Sequence, residues 1–146
     1  MQLIPFSEKD FLSLRDFMYP LWHETYDPIL PKAQVDFLID KYFLYENIKA
    51  WQEKGYVYRK IDNVGVLVYV DKGDCIYIDK LYLVQAARGK NYPTLVFEEL
   101  SKCNKDLVLN VNRSNARAVN CYLKNGFFVE SEQEIRLSDT MATATT

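Results

Sequence analysis

The chain has 146 residues, 49% of them hydrophobic and 26% charged, with a formal net charge of −2 at neutral pH. That is enough chain for one domain with its own core, and it lacks the basic excess that a nucleic-acid surface requires. No apolar run approaches the roughly 20 residues that span a bilayer, and Met1–Phe11 carries no basic-then-apolar leader, so no membrane partner and a cytoplasmic setting are expected.

In chain order, Leu3–Phe6 reads as a short strand. Ser7 and Asp10 stand at capping-box spacing, and Phe11, Leu14 and Met18 recur on one helical face. The pattern predicts a helix ending near Pro20, then an irregular stretch Leu21–Pro31 broken by Pro28 and Pro31. Val35, Leu38, Ile39 and Tyr42 mark a second helix. A third piece, Glu46–Glu53, stops at Gly55. Three strands follow, Tyr56–Ile61, Gly65–Val70 and Ile76–Leu83, joined by turns short enough to make antiparallel hairpins. Tyr92, Val96, Leu100 and Cys103 then form a helical stripe, Leu107–Val111 a short apolar strand, and Asn115–Lys124 a helix stopped by Asn125-Gly126. Phe127–Val129 and Glu134–Leu137 read as closing strands.

This order gives an α/β fold, a mixed α+β sheet that is mostly antiparallel, with one central parallel β-α-β crossover from Ile76 to Val111 that should be right-handed. Residues 1–139 form one domain, and Thr140–Thr146 reads as a flexible tail. Cys75, Cys103 and Cys121 are odd in number with no C-x-x-C pair, which suits reduced thiols. His23 is the only histidine, so no metal site is expected.

Chemistry concentrates in two places. Between strand and helix, Arg88, Gly89, Lys90 and Asn91 precede a helix whose first turn holds Pro93 and Thr94. A helix start offers unpaired N–H groups and partial positive charge to a phosphate, and Arg88 and Lys90 add cations. The competing reading is a solvated basic loop. Further on, Asn115 and Tyr122 lie seven apart on one helix, nearly on the same face. From spacing alone Tyr122 is equally a half-buried core tyrosine.

The run L-Y-L-V-x-x-x-R-G-K before a helix resembles the acetyl-CoA pyrophosphate loop of the GNAT superfamily of N-acetyltransferases. The run N-V-N-x-x-N-A-x-A-x-x-x-Y-x-x-x-G-F is similar to that family's second signature. The resemblance implies a GNAT-like acyl-CoA N-acyltransferase fold with strands splayed around the pantetheine arm of acetyl-CoA. It places Leu81 and Leu83 backbone groups beside the arm and thioester, Arg88, Gly89, Lys90, Asn91 and Thr94 around the pyrophosphate, and Asn115 against the arm. Tyr122 would protonate the departing thiolate. The activity implied is acetyl transfer to a primary amine, small molecule or peptide, by direct attack in a ternary complex. A protonated amine cannot attack, so a base is needed. Asp79, Glu24 and His23 all stand as candidates, and Trp22, Glu24 and Tyr26 are candidates to line the acceptor pocket.

Two departures bear on activity. The family loop carries small residues where this chain has Asn91 and Pro93, and Pro93 withholds a backbone donor worth about 1.5–3 kcal/mol to a charged ligand. These changes motivate an alternative reading, a CoA-binding module with little or no turnover. The closing strands are short, leaving an edge that favours a homodimer.

Overall fold

The computed structural model describes residues 1–132 and the backbone of Ala144–Thr145. Its elements run β1 (Leu3–Pro5), α1 (Glu8–Tyr26), α2 (Lys32–Phe43), α3 (Tyr45–Glu53), β2 (Val57–Ile61), β3 (Gly65–Asp71), β4 (Cys75–Leu83), α4 (Tyr92–Ser101), β5 (Asp106–Val111), α5 (Ala116–Lys124) and β6 (Ala144–Thr145). The strands lie in sequence order. β1 to β4 are antiparallel neighbours, and β5 runs parallel to β4. The expected mixed sheet with one parallel crossover is what forms.

Alternation along β3 sends Val66 and Val68 to one face and Leu67 to the other, which sets two cores. On the first face lie Leu14, Met18 and Trp22 of α1, Val35, Leu38, Ile39 and Phe43 of α2, and Ile48 of α3. On the second, Val96, Phe97 and Leu100 of α4 cover Ile61, Leu67, Ile78, Leu109 and Val111. The crossover helix and the N-terminal helices therefore sandwich the sheet.

Helix α1 corrects the expectation of a stop at Pro20. Ser7 and Asp10 form the capping box, but the helix continues through Pro20 to Tyr26. An interior proline costs about 3 kcal/mol. Leu21, Trp22 and Tyr26, all beyond it, are buried in the first core, and each such side chain returns about 1.5–3 kcal/mol or more. Burial wins, and Leu21–Tyr26 is helical.

The end of α5 corrects another. Phe127–Val129 is not a strand. Gly126 takes φ +91°, the Phe127 N–H reaches the Tyr122 carbonyl at 3.1 Å, and the Gly126 N–H reaches Leu123 at 3.1 Å. That is a Schellman stop, with its usual apolar contact supplied by Phe127 on Tyr122. The Asn-Gly-Phe run is spent on ending a helix. Glu134–Leu137 lies outside the described residues, as does the tail apart from Ala144–Thr145, whose backbone pairs antiparallel with Val111 and Asn110.

Candidate active site

The site begins with one extra residue in β4. Ile78 pairs with Tyr69 and Lys80 with Val68, so Asp79 has no partner across the ladder and forms a β-bulge. Beyond it the parallel ladder to β5 ends. The last pair is Ile78 with Leu109, although β4 continues to Leu83 and β5 to Val111. The strands part here, and a cavity of about 220 Å³ opens between them. Asn110 Nδ2 donates to Tyr77 Oη at 3.1 Å, a side-chain bridge between the two strands.

The bulge also fixes which backbone groups face the gap. The Val84 N–H donates to Val64 of the β3 side at 2.8 Å. Alternation then turns Tyr82 toward β3 and leaves the N–H and C=O of Leu81 and Leu83 directed at the open edge. The Leu83 carbonyl accepts from Arg88 Nη2 at 3.3 Å.

At one end of the gap lies the basic loop. Arg88, Gly89 and Pro93 line it. Asn91 is the N-cap of α4 in the left-handed region at φ +66°, with no side-chain cap bond. A glycine would adopt that conformation freely, and asparagine does so more readily than most residues. Pro93 has no N–H, which leaves Tyr92 and Thr94 to supply the free donors of the first turn. The Thr94 hydroxyl donates to Asn125 Oδ1 at 2.6 Å, tying α4 to the end of α5. Lys90 and Asn91 are exposed.

On the β5 side, α5 presents Asn115, Arg117, Ala118, Cys121 and Tyr122 to the gap. Asn115 caps this helix, its Oδ1 accepting from Ala118 at 3.3 Å. The Tyr122 ring is gripped by Phe97 and Phe127, with centroids 6.2 and 5.8 Å away. Burial raises the pKa of its hydroxyl well above the ordinary phenol range, so it stays protonated throughout the physiological range. No residue among those described accepts or donates a hydrogen bond at that hydroxyl.

The opposite wall carries Thr25, Tyr26, Asp79, Lys80 and Tyr82. Tyr26 and Tyr82 share a hydroxyl contact of 3.2 Å. Asp79 faces the gap but is ion-paired to the buried Lys80, whose ammonium lies over the Tyr42 ring. Trp22, expected at the acceptor wall, lies wholly inside the first core, in tilted and edge-on contact with Tyr26, Tyr42 and Phe43. Glu24 contacts Arg88 and Arg117. Lys80, Tyr82 and Arg117 were not singled out by sequence. Only Arg117 had a signal, its place in the first turn of the helix that carries Tyr122.

His23 is removed from the list of bases. Its ring nitrogens lie 2.6 Å from Asp27 and 2.6 Å from Asp36. Both carboxylates accept, so both nitrogens donate and no lone pair is left. Burial lowers the imidazole pKa, but the two carboxylates outweigh it and the net shift is upward. Tyr19 packs on the same ring. With a raised folded value, the stabilisation is complete below the ordinary 6.5 and lost as pH climbs through the folded value. Denaturation at about pH 6 and about pH 9 should show the wild type losing about 1–2 kcal/mol more than His23→Gln. Parallel pH dependences would mean the imidazole is neutral.

A model of the acetyltransferase (GNAT) family matches residues 15–127. No curated protein matches the chain in sequence. Among solved structures, the paia N-acetyltransferase of Thermoplasma acidophilum in complex with coenzyme A superposes with TM-score 0.75 at 18% identity, covering 99% of this chain and 95% of that one. An acetyltransferase of Thermus thermophilus gives TM-score 0.68 at 14% identity, covering 99% and 92%. An N-acetyltransferase of Staphylococcus aureus Mu50 gives 0.59 at 19%, with both chains covered completely. No helix among the described residues is long and apolar enough to cross a membrane.

Proposed function

The chain belongs to the acetyltransferase (GNAT) family, and from that premise we propose that it transfers an acetyl group from acetyl-CoA to a primary amine by direct attack. The observation that carries this reading is the edge of β4 at Leu81 and Leu83, past the end of its pairing with β5, in one gap with a Tyr122 hydroxyl that has no hydrogen-bond partner among the described residues.

The residues present fit the coenzyme. Leu81 and Leu83 offer ladder groups to a pantetheine arm lying as an added strand. Arg88, with the N–H groups of Tyr92 and Thr94, suits the pyrophosphate. Acetyl-CoA supplies an acetyl group activated as a thioester. The Leu81 N–H is the donor for the thioester carbonyl oxygen, and it strengthens as negative charge gathers there. Tyr122 Oη delivers a proton to the sulfur. The acceptor enters from the wall of Tyr26 and Asp79 and must arrive without its ammonium proton. Asp79 is the one carboxylate facing the gap among the described residues. Its Oδ2 is ion-paired to Lys80, so Oδ1 is the oxygen left to take that proton, directly or through water.

This engagement of Asp79, together with Pro93, favours a second reading, a coenzyme-binding module with little turnover. Calorimetric titration with acetyl-CoA, followed by thiol release over a panel of amines, separates the two. Binding with release is expected. Binding without release on any amine would select the second reading, and no binding at millimolar coenzyme would end both.

A further inference from the structure

Glu24 lies on α1, away from the strands that open the gap, yet its Oε1 contacts Arg88 and stands 3.1 Å from Arg117 Nη1. The two arginines come from opposite walls, one from the loop after β4 and one from the first turn of α5, and both line the gap. Residues 64 and 93 positions away in sequence thus converge on one carboxylate oxygen. Planar guanidinium forks arranged this way bind carboxylate and phosphate alike. The anion now held there belongs to the protein.

We infer that Arg88 and Arg117 form a phosphate subsite for the coenzyme, and that Glu24 is a built-in competitor filling it until the coenzyme arrives. The inference rests on the coenzyme reading above. Arg117 occupies a position that the second motif leaves free, so the loop motif alone does not supply it. Three observations support an exchange of anions. Arg88 keeps a second anchor on the Leu83 carbonyl, so it stays at the gap when the carboxylate leaves. Arg117 has no other partner among the described residues. The Glu24 side chain is 38% exposed and can turn to solvent. Its carboxyl is held below the usual range, first by the Arg88 hydrogen bond and then by Arg117, against the opposing effect of burial. It therefore stays ionised at neutral pH and repels an incoming phosphate until it moves.

The test is calorimetric binding of coenzyme A, and of pantetheine as a phosphate-free probe, to the full chain and its Glu24→Gln and Arg117→Gln variants. Glu24→Gln should bind coenzyme A about three- to tenfold more tightly, and Arg117→Gln more weakly by a similar factor. Pantetheine should bind all three equally, and the differences for coenzyme A should shrink at high salt. Unchanged or weaker coenzyme A binding by Glu24→Gln would overturn the inference, as would an equal gain for pantetheine. Wild-type protein that binds no coenzyme A would instead overturn the coenzyme reading on which it stands. Glu24→Gln carries the decision alone if Arg117→Gln does not fold.

Discussion

Replacing Tyr122 with phenylalanine is expected to lower turnover by about a hundredfold while leaving acetyl-CoA affinity nearly unchanged. The substitution removes one oxygen and keeps the ring that Phe97 and Phe127 hold in place. The hydroxyl has no partner among the described residues, so its loss breaks no hydrogen bond in the folded protein. Tyr122 is half-buried and lines the gap, so removing its hydroxyl should change stability by less than about 1 kcal/mol. A fall in rate therefore cannot be blamed on misfolding, and a thermal melt run beside the kinetics will check this. The rate loss is set at the lower end of what proton transfer contributes. A thiol with an ordinary pKa of about 8.5 departs with modest help. An unchanged rate would remove Tyr122 from the mechanism, and an equal loss in affinity would recast it as a binding residue.

Gly65→Ala should lower stability by up to about 3 kcal/mol and weaken coenzyme binding with it. Gly65 opens β3 opposite Leu83. A Cβ there would meet the Tyr82 carbonyl oxygen at 2.5 Å and Leu83 Cδ2 at 2.7 Å. The carbonyl is part of the backbone ladder and cannot swing aside as a side-chain tip could, so β3 and β4 must separate. That movement shifts Leu83, whose carbonyl anchors Arg88. Urea denaturation and coenzyme titration of the variant would register both effects. Wild-type stability in Gly65→Ala would show that the strands there accommodate a methyl group, contrary to this packing.

Much of the fold was legible because local patterns and tertiary packing agree. The stripe Val35, Leu38, Ile39 became the buried face of α2, and the two tight turns placed β2, β3 and β4. Local signals misled where one motif can serve two ends. Pro20 marks a break by propensity, but the core beyond it holds the helix. Asn125-Gly126-Phe127 marks a helix stop, and its phenylalanine closes that stop and starts no strand. At the site, Arg88, Asn115 and Tyr122 were readable because each sits at a fixed distance from a helix start. The Asp79 bulge was not. An inserted residue leaves no trace in composition, and it shows only when two registers are compared. The Glu24 contacts were equally hidden, since pairing across 64 and 93 residues depends on the finished fold.

The bulge has a further consequence for how this sheet tolerates change. Asp79 is the residue without a counterpart on β3, so deleting it would restore an unbroken two-residue alternation from Ile78 to Lys80 without turning either side chain over. Every inward and outward assignment along β4 would survive, and the hydrophobic pattern would look healthier than before. What would vanish is the bend, and with it the reason for β4 and β5 to part after Leu109. The gap between the two strands is thus recorded as an irregularity that a smoother sequence would erase. A redesign scored only on strand regularity and burial would close the gap and count the result as an improvement.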